Sequence, residues 1–336
     1  MNWGEGREKG RGKYDSSAGP EPRNSKYKVW AKTGNYGYYY YRGLYEGLES
    51  QLLMDKSRYV QDQIGRRVRF FLEHNNADDL PPEGQLASFR SNQRRMCSFV
   101  LQTAYPGLLI GAGYSHGISS KKDSEPGFES DSKAELESDF KLGFYFDYTT
   151  GLPVIPGSSV KGVLRSAFGA GHNKSEKYRR QKHEYIAEQL KKVGVEVATD
   201  DIEQLETAIF EGIVSGTQLP LAARDVFFDA WPIGGGRVSA GRLFYDDYVT
   251  PHIRDGRNPD GGYFIEENSA LKNPTPIRFL KVAPGVNYEF RFMLTETALG
   301  DIKVGAEIKL GLFKNILKDM GIGAKTRIGY GYFQEV

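Results

Sequence analysis

The sequence predicts an α+β chain in which helices cover one face of a sheet with antiparallel runs mixed in. Three observations predict it. Short glycine-bounded apolar runs of strand length recur after residue 98, segments with apolar residues every three or four positions lie between them, and no unit of fixed length repeats. With 336 residues, 39% hydrophobic and 26% charged, the chain has material for one large core or two small ones. No apolar run approaches the ~18 residues of a membrane span, and residues 1–20 hold no secretory apolar stretch, so a soluble cytoplasmic protein is expected.

Residues 1–28 are Gly, Lys, Arg, Ser and Pro with almost nothing to bury. They predict a flexible basic arm, either an idle tail or one that orders on binding. Residues 29–97 predict a helical N-terminal extension. Its tyrosine-rich run at 36–41 suits half-buried packing or base stacking. Over 44–72, Leu44, Leu48, Leu52, Tyr59, Ile64, Val68 and Phe71 recur at mainly helical spacing among Arg66, Arg67 and Arg69, which predicts one long or broken helix. After a Pro-Pro-Glu-Gly turn at 81–84, a shorter helical pattern ends near Cys97, where the domain boundary is placed.

From 98 to 336 the texture is that of a single α+β domain. Strands are predicted at 99–103, 108–110, 144–148, 226–230, 241–248 and 288–294, the last with Tyr288, Phe290, Phe292 and Leu294 on one face. Helices are predicted at 158–168, 175–193, 200–213 and 301–320, where Ile302, Ala306, Leu310, Phe313, Leu317 and Met320 step by three or four. Residues 119–139, with seven acids and three lysines, predict an exposed loop insertion.

One cysteine, Cys97, excludes an internal disulfide, and His74, His116, His172, His183 and His252 lack metal-ligand spacing, so neither a metal nor another cofactor is expected. The net charge of +2 is unevenly spread: residues 1–98 carry +5 and the remainder −3. A whole-chain average therefore does not exclude a polyanionic partner.

Two glycine-marked segments concentrate the remaining cations. The first, GLPVIPGSSVKGVLR at 151–165, is extended and then turns into a helix: Pro156 and Gly157 bar an earlier start, and serine is a favoured cap. Ser158, Lys161 and Arg165 then share one face, while Val160, Val163, Leu164, Ala167 and Phe168 form the buried stripe. A free helix N-terminus with hydroxyls and cations is a phosphate-binding arrangement; the alternative is an ordinary capped amphipathic helix. Gly162, costly inside a helix, suggests the close approach of a backbone or ligand.

The second, GIGAKTRIGYGYF at 321–333, lacks the spacing of a phosphate-binding P-loop and the third glycine of a dinucleotide fingerprint. What remains is a glycine loop, Gly321 and Gly323, presenting N–H groups beside Lys325, Thr326 and Arg327, followed by a strand containing Gly329, Tyr330, Gly331 and Tyr332. Such a loop suits a nucleic-acid backbone, neutralised without its bases being read.

Four pieces carry a family resemblance: LLIGAGY at 108–114, the 151–165 segment, VFFDAWP at 226–232, and NPTPIRFL at 273–280 followed by the 321–333 loop. On these the chain resembles the RAMP superfamily of CRISPR-associated proteins, and within it the sixth RAMP subunit of type III-B (Cmr) effector complexes. The resemblance implies a modified RRM, ferredoxin-like domain with inserted loops. It also implies a non-catalytic subunit that caps a RAMP filament, holds the 3′ part of the CRISPR RNA, and meets other RAMP subunits and the small helical subunit. Target RNA would be met only indirectly. The implied RNA contacts are Ser158, Ser159, Lys161, Gly162 and Arg165 at the helix start, with Gly321, Gly323, Lys325, Thr326, Arg327 and Tyr330 in the loop.

The rival reading is a RAMP endoribonuclease that processes CRISPR transcripts by general acid/base attack, with His116 as the nominee. Asp225 and Asp229 offer a metal pair in that rival, or structural hydrogen-bond acceptors at a strand end.

Overall fold

The computed structural model describes residues 35–46, 48, 58–82, 95–113, 140–169, 175–250, 256–257, 263–264 and 276–336. The basic arm at 1–28, the acidic insertion at 119–139 and most of the pattern expected before Cys97 lie outside these residues, as does His116. The main elements in chain order are α1 (Arg58–His74), β1 (Arg95–Thr103), α2 (Gly157–Ala167), α3 (Glu176–Lys192) and α4 (Ile202–Glu206). They continue with β2 (Val226–Phe227), β3 (Trp231–Ile233), β4 (Phe244–Val249), β5 (Ile277–Val282), β6 (Asn287–Leu294), α5 (Ala306–Met320) and β7 (Phe333–Gln334).

The sheet is built on β1 and β6, paired antiparallel from Arg95 opposite Leu294 to Gln102 opposite Asn287. β7 joins the free side of β1, and β2 and β3 share the free side of β6. The order β7-β1-β6-β2, with α2 following β1 and α5 following β6, is that of a ferredoxin-like βαββαβ unit. Tyr288, Phe290, Phe292 and Leu294 are all buried on one face, as their alternation predicts. Phe313 of α5 packs on that face, its ring 5.3 Å from Phe292 and 5.7 Å from Phe227. β4 and β5 form a separate antiparallel ribbon. Among the described residues no helix is long and apolar enough to cross a membrane.

Several local expectations change. β1 starts at Arg95, so Cys97 lies inside a strand opposite Phe292 rather than at the end of a helical pattern. The segment 144–148 buries Phe144 and Phe146 but is not a strand; Tyr145 N–H donates to Ile110 and Asp147 N–H to Leu152, without a ladder. The helix expected over 301–320 begins only at Ala306, because Ile302–Val304 pairs back on Thr297–Leu299 through a turn at Gly300 (φ +58°). The helix expected over 200–213 is shorter, Ile202–Glu206, continuing into a distorted turn that ends at left-handed Gly212.

The tyrosine run takes the packing reading. Tyr36, Tyr39 and Tyr40 are buried in one cluster with Phe71, Phe146 and Phe244, and Tyr40 and Tyr41 donate to the carbonyls of Leu142 and Phe144. Arg67 of α1 donates to the carbonyls of Leu44 and Glu46, so this cation ties the chain to itself.

A fully buried ion pair sits under the sheet. Lys309 Nζ lies 2.5 Å from Asp225, whose other oxygen accepts from the N–H and hydroxyl of Thr295. It joins α5, the approach to β2 and the chain leaving β6. Removing one partner of such a pair leaves a buried charge uncompensated, at about 3–5 kcal/mol. Lys309→Met is therefore expected to lower unfolding free energy by that order in urea titrations; a loss below about 1 kcal/mol would show that the pair is not needed.

Candidate nucleic-acid interface

The helix start differs from its expected form. α2 begins at Gly157, with Pro156 in the cap position and no side-chain cap from Ser158. Instead, Asp229, between β2 and β3, accepts the Gly157 N–H at 2.7 Å. That carboxylate already sits on the positive end of the helix, so the N-terminus is not free for a phosphate. Gly157 is required because a Cβ there would stand 2.4 Å from the Phe227 carbonyl.

Ser158 and Ser159 are exposed. Lys161 holds its ammonium 5.7 Å above the Phe227 ring, and Arg165 is paired with Glu206 and Glu211 of the α4 region. Burial works against the Arg165 charge, but the two carboxylates outweigh it and hold its pKa above the ordinary value. Gly162 is exposed, and a Cβ added to it would meet no atom within 4 Å. No neighbouring backbone makes the close approach that this glycine suggested.

The glycine loop is stitched to the protein. Ile322 N–H donates to Gly331, Ala324 N–H to Leu109, and Gly331 N–H to Gly107, at 2.8–2.9 Å. A Cβ at Gly331 would stand 1.9 Å from the Ile322 carbonyl, and one at Gly323 2.4 Å from that of Leu109. These glycines let neighbouring backbone come close. Residues 329–332, expected as strand, form a turn; the short strand β7 follows.

Tyr330 is buried and donates to Asp247 at 2.6 Å, beside Lys281, whose ammonium contacts the same carboxylate at 2.6 Å. Desolvation would raise the Asp247 pKa, but the Lys281 and Tyr330 hydrogen bonds outweigh it and hold the carboxyl below its usual range. The tip is left outside. Lys325 takes a left-handed conformation (φ +60°) and Arg327 is exposed. Among the described residues the N–H groups of Lys325, Thr326 and Arg327 meet no backbone carbonyl. No hydrogen bond, ion pair or ring contact joins this loop to the start of α2 among the described residues.

A family model, RAMPs: RAMP superfamily, matches residues 100–334. The chain belongs to the RAMP superfamily. Solved structures similar to this RAMP protein include one described as the type III-B Cmr-beta bound to cognate target RNA. It is 20% identical with a TM-score of 0.47, over 83% of this chain and 75% of that one. A second is Cmr6 from Pyrococcus furiosus, 22% identical with a TM-score of 0.38, over 74% of this chain and 100% of that one. No curated protein sequence matches.

In this RAMP protein one surface residue escaped the sequence reading. Tyr105 is 85% exposed on a turn held to the glycine loop by the Ala104 N–H to Tyr332 bond at 2.9 Å, and Ile328 on the loop is 58% exposed. The Tyr-Pro-Gly turn between two predicted strands was the available signal. Asp225 and Asp229 take the structural-acceptor reading, engaged by Lys309 with Thr295 and by Gly157 respectively. His74 stacks on Phe70 at 3.9 Å, and His183 is buried on α3.

Two stability measurements separate these roles. Gly162→Ala is expected to raise stability by about 1 kcal/mol, since alanine is the better helix former and space is open. Gly331→Ala, at φ +77°, should destabilise and raise protease sensitivity at 321–333; equal thermal shifts for both would contradict the assignment. Because the folded pKa of Asp247 is depressed, its contribution is present above the unfolded value near ~4 and is lost as pH falls through the folded one. The stability gap between wild type and Asp247→Asn should therefore narrow below about pH 4; a pH-independent gap would refute it.

Proposed function

We propose that this chain is a non-catalytic RNA-binding subunit of a type III-B (Cmr) CRISPR ribonucleoprotein, acting in the cytoplasm in defence against foreign RNA. It binds the 3′ part of the CRISPR RNA and caps the RAMP filament. It meets neighbouring RAMP subunits and the small helical subunit, and target RNA only through the guide.

The observation that carries this reading is the exposed tip of the glycine loop in a RAMP-family domain. Successive N–H groups at Lys325, Thr326 and Arg327 meet no backbone carbonyl among the described residues, two of these residues are cationic, and an αL turn such as that at Lys325 is the kind of backbone from which anion-binding concavities are made. Tyr105 and Ile328 add exposed flat and apolar surface next to those charges, the combination that single-stranded nucleic acid uses. Ser158, Ser159 and Lys161 form a second, separate RNA-facing patch in this proposal, and Arg165 serves mainly to hold α2 to α4. Phosphate contacts of this kind at the loop position a strand without reading it. The commitment of Asp225 and Asp229 to structural bonds favours this reading over metal-assisted cleavage.

Incubation with labelled repeat RNA is expected to give salt-sensitive binding without cleavage. Lys325→Ala with Arg327→Ala should weaken binding and flatten the log–log salt dependence by about 0.7 for each phosphate no longer neutralised. Unchanged affinity and slope would overturn the loop site, and cleavage by the purified chain would overturn the non-catalytic role.

A further inference from the structure

A cleft of about 350 Å³ opens between α3 and the last turn of α5, lined by Tyr178, Gln181, Lys182, Tyr185, Asp319 and Met320. We infer that it is a subsite for one nucleotide of single-stranded RNA, an inference that rests on the RNA-binding reading above. Its size lies at the low end of the ~300–1,000 Å³ range of small-ligand pockets, enough for a base and its sugar but not for a helix or strand.

The walls have the chemistry of a nucleotide site. Tyr178, Lys182 and Tyr185 stand at i, i+4 and i+7 on one face of α3, so both rings and the ammonium point the same way. The Lys182 ammonium sits 5.8 Å from the Tyr178 ring centroid and 6.0 Å from that of Tyr185. Tyr185 donates to the Asp319 carboxylate at 2.9 Å, fixing one of its oxygens. The other oxygen and the Gln181 amide are left to meet the hydrogen-bonding edge of a base. The rings and the Met320 thioether supply apolar faces for its plane.

Charge argues for RNA over a basic protein segment. A lysine or arginine from a partner would compete with Lys182 for the same two ring faces. A nucleotide uses Lys182, with the phosphate taking the ammonium while the base keeps the rings. An acceptor-only carboxylate also favours a base with an exocyclic amino group, so cytidine should be preferred to uridine at this position. The cleft lies within chain reach of the loop site. Met320 directly precedes Gly321, and the five residues from it to Lys325 reach no more than about 18 Å, so a strand lying on the tip can enter the cleft.

The test uses the full chain and single-stranded RNA carrying 5-iodocytidine, followed by irradiation and peptide mapping, with anisotropy titrations alongside. Crosslinks at Tyr178 or Tyr185 are expected. Tyr178→Ala with Tyr185→Ala should weaken binding about five- to hundredfold without changing the salt slope, since base stacking is removed and every phosphate keeps its cation. Asp319→Asn should remove the preference for cytidine over uridine while leaving α3 intact by circular dichroism. RNA that binds and crosslinks only at 321–329, with affinity unchanged in the double variant, would overturn the subsite and leave the RNA-binding reading standing. Crosslinking of the cleft to a protein neighbour in the assembled complex would also overturn the subsite. Failure to bind RNA at all would remove both.

Discussion

The molecule hangs on the antiparallel ladder between β1 and β6. Its eight paired positions, Arg95 to Gln102 against Asn287 to Leu294, are the long contact in a sheet whose other strands hold by two or three pairs each. Such short strands are not stable alone; they persist because β1 and β6 offer edges fixed in register by a buried aromatic face. A one-residue slip would carry Phe292 away from Phe313, Phe290 away from Phe333, and both out of the core. The Lys309–Asp225 pair then locks α5 to the chain around that ladder, a polar tie in a region where any unpartnered charge would be costly.

The same ladder positions the glycine loop. Gly107 and Leu109, just beyond the end of β1, accept the N–H groups that close it, so the loop is an extension of the sheet's central strand and not a free lid. Glycine and cation have different duties within it. The glycines let two stretches of backbone touch, and Lys325 and Arg327 stand on the outer surface of the junction so formed. At α2 a comparable motif is built differently, with a distant carboxylate accepting the first helical N–H and the arginine turned to Glu206 and Glu211.

The regular elements were legible where period and burial agree. β6 carries its apolar residues at alternate positions on the buried face that packs under α5, and the periodic part of α5 is helical as its spacing requires. The errors have physical causes. Ile302 fits the helical step of α5 by number, yet it pairs with Leu299 across a glycine turn, a long-range choice that local spacing does not encode. Asp229 is 72 positions from the Gly157 N–H that it caps, so a reader of the local sequence assigns the cap to Ser158. Gly162 and Gly331 look alike in the sequence, whereas one faces open space and the other a carbonyl oxygen. Lys325, Thr326 and Arg327 stand out in composition and spacing; the exposed Tyr105 beside their loop requires knowing which turn lies against it.

A loop already closed on its own carbonyls has lost its conformational freedom at folding. A ligand docking on it would meet a finished surface, and little additional ordering entropy would accompany its binding there. Association at the tip should then have a small heat-capacity change, and its lifetime should be set by the contacts made, not by the reopening of the loop.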